Sequence, residues 1–155
     1  MGQDIPAVLK DYVLPWLPIA FTLAGWYVVN RQNNKREARK EERALIDGVK
    51  KLVIDLTGQA RSYMCTEARD EDQEADIKLR LSQMEIELGR LPCYAETPWL
   101  VDAVAAFGHA ATSADFESAT RSARKVSDPE PQTLALARNE LLQKLEQLFT
   151  DRYLR

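Results

Sequence analysis

His109 is the only histidine in the chain, and as a general base or half of a ribonuclease pair it would need a second catalytic group within reach. Its neighbours Ala103, Ala105, Ala106, Ala110 and Ala111 supply none, and Asp102 lies seven residues upstream, two helical turns away. A surface or bundle-edge histidine is the reading that fits. Cys65 and Cys93 are the only thiols; neither belongs to a CxxC pair, and one histidine cannot complete an ordinary zinc site. If the helices ending near them pack antiparallel, the thiols stand roughly 30 Å apart, beyond disulfide reach. No Walker loop, GxGxxG, GxSxG or HExxH sequence is present. The sequence therefore predicts no catalytic residue, no cofactor and no metal, and a protein that is not an enzyme.

What must be positioned, then, is a surface rather than a reaction centre. A length of 155 residues fits one domain, and 45% hydrophobic with 29% charged residues describes an ordered chain. Six glycines and seven prolines argue against a turn-rich β-sandwich, and a net charge of −3 speaks against a dedicated nucleic-acid binder. The charge is unevenly spread. Residues 31–69 carry ten basic and six acidic side chains, and residues 70–155 ten basic and sixteen acidic.

The mean hydropathy of −0.38 conceals an uncharged run, Val13 to Val29, VLPWLPIAFTLAGWYVV. As a helix it reaches roughly 25 Å, and residues 13–30 are predicted to form a transmembrane helix. Tyr12 and Trp16 at one end, and Trp26 and Tyr27 at the other, suit the two membrane interfaces. Only Lys10 precedes the run, whereas Arg31, Lys35, Arg36 and Arg39 follow it, so the positive-inside rule leaves residues 1–12 outside and the remainder in the cytoplasm. The expectation is a single-pass inner-membrane protein in contact with the lipid bilayer, with those four cations at the headgroups. Ala20, Ala24 and Gly25 form a small-residue surface on which a second membrane helix can pack.

Residues 31–155 are predicted to be a cytoplasmic helical bundle, entered through a polar juxtamembrane helix at 31–44. Leu45, Val49, Leu52, Leu56 and Tyr63 mark a core-facing helix, widened by Ile46, Val53, Ala60 and Met64. Ile77, Leu81, Met84, Leu88 and Leu91 mark a second, opened by the acidic run Asp70 to Glu74 and closed by Pro92. Thr97-Pro98 launches a third, which Gly108 and Thr112-Ser113 are expected to bend or break, with a short further helix through Phe116, Ala119 and Val126. Leu134, Leu141, Leu145, Leu148 and Phe149 mark the last. The fold class is all-α: one membrane helix followed by a four-helix bundle.

An N-terminal anchor followed by a small helical bundle resembles the membrane-anchored HEPN-like accessory proteins of bacterial CRISPR and antiphage systems. The likeness lies in the order of elements over most of the chain. The HEPN pattern of Arg followed four to six residues later by His is absent, since eighteen residues separate Arg90 from His109. The resemblance implies assembly in the membrane and membrane perturbation in antiviral defence rather than RNA cleavage.

Together these readings predict a homo-oligomer assembled through its bundles, forming a gated pore whose inner mouth carries Gln32, Asn33 and Asn34. The rival expectation is a membrane-tethered adaptor for a soluble protein partner.

Overall fold

The computed structural model describes residues 16–92, 94–112 and 115–154. Among them are four α-helices and no strand: α1 Leu17–Met64, α2 Glu71–Gly89, α3 Pro98–Ala111 and α4 Pro129–Tyr153. The chain divides into two compact units, one ending at Glu41 and the other running from Glu42 to Arg155. α1 contributes to both.

The transmembrane helix is overturned. Among the described residues, no helix is long and apolar enough to cross a membrane. The physical reason is the register of α1. The helix begins at Leu17, so only Leu17 to Val29 are uncharged and largely apolar before Asn30, Arg31 and the polar run beyond. Thirteen residues rise roughly 20 Å, against the ~30 Å of a hydrocarbon core. Pro18, Thr22 and Gly25 dilute the stretch further. The single-pass inner-membrane placement, and the outside-to-cytoplasm orientation that depended on it, fall with the span. Residues 1–15, including Val13, Leu14, Pro15 and the expected interface residue Tyr12, lie outside the described residues.

Residues 31–44 are helical and lie within α1, which runs unbroken through that stretch, because no Gly or Pro interrupts it and Pro18 falls in the first turn, where a missing N–H costs nothing.

The unit from Glu42 onward is a four-helix bundle built from the C-terminal part of α1 with α2, α3 and α4. α1 centres its core face on Ile46, Val49, Val53, Leu56, Ala60 and Tyr63, all at most 2% exposed, while Leu45 and Leu52 sit half-buried at the edge. α2 adds Ile77, Met84 and Leu88; α3 adds Leu100, Val104 and Phe107; α4 adds Leu134, Leu141 and Leu145. Gln59 Nε2 donates to Asp76 and Tyr63 reaches Glu74, so α2 runs antiparallel to α1. Arg43 meets Glu146 while Glu42 meets Tyr153, and α4 is likewise antiparallel to α1. α3 and α4 approach most closely, and the buried face of α3 includes the small side chains Ala103, Ala110 and Ala111.

α2 starts where its acidic run predicted, with the Asp70 carboxylate accepting from the Gln73 amide at 3.0 Å. Two local expectations fail. α3 ends at Ala111 with Thr112 as its C-cap, as the Thr112-Ser113 pair predicts, but it passes unbroken through Gly108, since a lone glycine costs a helix only about 1 kcal/mol against alanine. Residues 115–127 form turns and irregular backbone rather than a helix, with Glu117 at φ 65°.

Candidate functional site

Every described residue from Trp16 to Glu41 is exposed. Nine of them are large and apolar: Trp16, Leu17, Ile19, Phe21, Leu23, Trp26, Tyr27, Val28 and Val29, between 42% and 72% exposed. At 100° per residue they fall around the whole helix, with no empty arc wider than about 80°. Aromatic rings bury roughly 150–250 Å² each, so Trp16, Phe21, Trp26 and Tyr27 alone leave on the order of 500 Å² of apolar surface to water. The largest apolar patch on a typical monomer is about 300–600 Å² in total. This segment exceeds that once its aliphatic residues are included, which makes it the strongest candidate surface of the molecule.

Immediately after it, Tyr27, Asn30, Arg31, Asn34, Lys35 and Ala38 line an open concavity of about 570 Å³ on the side of α1. Long side chains form its rim, and Ala38 and the two asparagines leave room between them. The sequence-selected residues distribute accordingly. Ala20, Ala24 and Gly25 lie exposed on consecutive turns, and a Cβ added at Gly25 meets nothing within 4 Å. Asn34, Arg31 and Lys35 line the concavity; Gln32, Asn33, Arg36 and Arg39 are exposed elsewhere on α1. The pore-mouth and headgroup roles expected of these residues were conditional on a membrane crossing that the helix does not make.

Inside the bundle, pattern reading missed a polar cluster. Glu74 is 3% exposed and accepts from the Tyr63 hydroxyl and from Arg69, whose Nε and Nη2 lie 3.1 Å from its two oxygens. The hydrogen bond from Arg69 holds the Glu74 carboxyl below the usual carboxylate range against the opposing effect of burial, and Tyr63 assists. Burial, then the Glu74 contact, pushes the Tyr63 phenol up. The Arg121 guanidinium lies 3.6 Å from the centre of the Tyr63 ring and donates to the Tyr63 carbonyl, and Phe116 meets the same ring edge-on at 5.3 Å. The segment 115–127 is thereby pinned to the end of α1, with the Arg124 amide donating to the Met64 carbonyl at 2.9 Å. Nothing in the sequence singled out Glu74, because the acidic first turn of α2 was already accounted for by the helix dipole.

A second cluster joins α1 to α4. Arg43 clamps Glu146 through two bonds of 2.8 and 3.0 Å and lies over the Phe149 ring, while Lys50 pairs with the same carboxylate. Burial first, then the nearby Arg43, lowers the Lys50 pKa. Glu42, 5% exposed, accepts from the Tyr153 hydroxyl at 2.8 Å and lies 3.5 Å from Arg152. In both pairs the carboxylate is held by groups on the neighbouring helix, with Oε1 of Glu42 buried beside them.

A shallow groove between α1 and α2, about 560 Å³, is lined by Ile54, Asp55, Gly58, Gln59, Ser62, Gln73 and Arg80. His109 stands exposed on the last turn of α3, and Cys65 is half-buried with a free thiol. Cys93 lies outside the described residues. Among the described residues, no three His, Cys, Asp or Glu side chains converge as a metal site. No family model, curated protein or solved structure matches the chain.

Proposed function

We propose that this protein is a non-enzymatic assembly protein in which copies associate through the apolar segment Trp16–Val29 of α1. The observation that carries the reading is the run of nine exposed large apolar side chains. With its aliphatic members, the run approaches the roughly 800 Å² per partner that a stable protein interface buries. Its distribution around the whole helix bears on copy number. One neighbour covers an arc of about 100°, so burying the segment takes two or more neighbours per helix and favours an assembly of at least three copies over a dimer. The bundle from Glu42 onward supplies the stable body of each copy.

The test is native mass of the purified full-length chain. A discrete species of three or more copies is expected, with Leu23→Glu and Tyr27→Glu each reducing it to monomer while the circular dichroism of the bundle is retained. A wild-type chain that stays monomeric at micromolar concentration overturns assembly and leaves the segment as a docking element for a different protein.

A further inference from the structure

Resting on that reading, we infer that the copies associate in parallel and in register along one stripe of α1, Trp16, Ala20, Leu23, Tyr27, Asn30 and Asn34. These residues repeat at spacings of 4, 3, 4, 3 and 4, the seam of a coiled coil. One alternative serves less well. The stripe through Leu17, Phe21, Ala24 and Val28 continues into Arg31 and Lys35 and would bury two cations. The chosen stripe instead carries the uncharged Asn30 and Asn34, which line the concavity together with Tyr27, Arg31, Lys35 and Ala38, so that both cations stand at its flank rather than on the seam. Ala20 lets the backbones approach near the apolar end.

Orientation follows from three features of the same stripe. A parallel, in-register pair stays in contact from Trp16 to Asn34, nineteen residues or roughly 27 Å of helix, whereas an antiparallel pair overlapping its apolar parts leaves the asparagines beyond the contact. An asparagine amide carries both donors and an acceptor, so Asn34 is satisfied by Asn34 of the neighbouring copy only when the two meet at one level. Trp26 and Arg31 flank the stripe on opposite sides, five residues apart, and a parallel neighbour brings the Arg31 guanidinium to the Trp26 ring. In the antiparallel arrangement Arg31 lies beyond the overlap and meets no Trp26. The contact ends naturally at Glu37, the next position of the stripe, where equivalent carboxylates of two copies repel.

The experiment is disulfide trapping in the full-length chain with Cys65→Ser and Cys93→Ser, combined with native mass. Ala20→Cys alone is expected to yield a cross-linked pair on oxidation, and Thr22→Cys, off the stripe, at least tenfold less. Preferential cross-linking of Ala20→Cys to Tyr27→Cys in a mixture, with the oligomer intact, overturns the parallel arrangement and leaves self-association standing. A monomer in every sample, or monomers that float with lipid vesicles, overturns both. Asn34→Leu is expected to replace the single oligomer by several species of different mass; an unchanged single mass overturns the role of Asn34.

Discussion

The hydroxyl of Tyr63 donates to Oε1 of Glu74, joining the last turn of α1 to the first turn of α2 through two side chains that are each at most 3% exposed. A carboxylate so placed is stable only because Tyr63 and Arg69 between them engage both of its oxygens. Glu74→Ala, which strands the tyrosine hydroxyl, is expected to cost about 2–4 kcal/mol in urea unfolding, and Tyr63→Phe about 1–2 kcal/mol. The double variant should cost clearly less than the two single losses added, a coupling that a double-mutant cycle measures directly.

The same pair sets the pH window of the bundle. Glu74 has a folded pKa below its unfolded value, so its contribution is complete above about pH 4.3 and is lost as the pH falls through the depressed value. Tyr63, Tyr94 and Tyr153 have raised values, chiefly through burial; their contribution is complete below about pH 10 and is lost as the pH rises through the raised values. Urea midpoints should therefore hold level across neutral pH and fall at both ends. Glu74→Gln should flatten the acid limb and Tyr63→Phe part of the alkaline one.

The buried face of α3 holds small side chains. Ala103→Leu, at a position 4% exposed, is expected to destabilise by about 1–3 kcal/mol through overpacking, whereas Ala106→Leu on the open side of α3 should stay within about 0.5 kcal/mol. Thermal denaturation of the two variants side by side gives the contrast.

Arg121 fastens the segment 115–127 by stacking on Tyr63 and donating to its carbonyl. In Arg121→Ala, amide hydrogen exchange in 115–127 should accelerate at least tenfold while α3 and α4 keep their protection. Equal acceleration throughout would mean that the residue supports the whole bundle instead.

Much of this architecture is legible in the chain. The apolar spacings name the buried apolar residues of α2 and α4, with Leu81 only half-buried, and Asp70 and Pro98 mark helix starts as their chemistry dictates. On α1 the apolar face was found but its centre was not: a stripe wide enough to hold both Leu45 and Ile46 cannot say which faces inward until neighbours pack against it. The uncharged run near the N-terminus misled because hydropathy counts residues irrespective of where a helix begins, and α1 begins at Leu17. The supposed helix at 116–126 had too few apolar residues to outweigh its attachment to Tyr63 and Met64. Glu42 and Glu74 were illegible because their partners lie on other helices, and one-dimensional periodicity carries no record of them.

Glu42 and Tyr63 are twenty-one residues apart on α1, three heptads, and each is bound through a phenol–carboxylate contact to a different neighbouring helix. Between those two pegs the helix has a fixed tally of turns. Loss or gain of one residue anywhere from Arg43 to Ser62 must unseat one peg or the other, so the bundle acts as a gauge of its own length and rejects slipped alignments that an oily seam alone would tolerate.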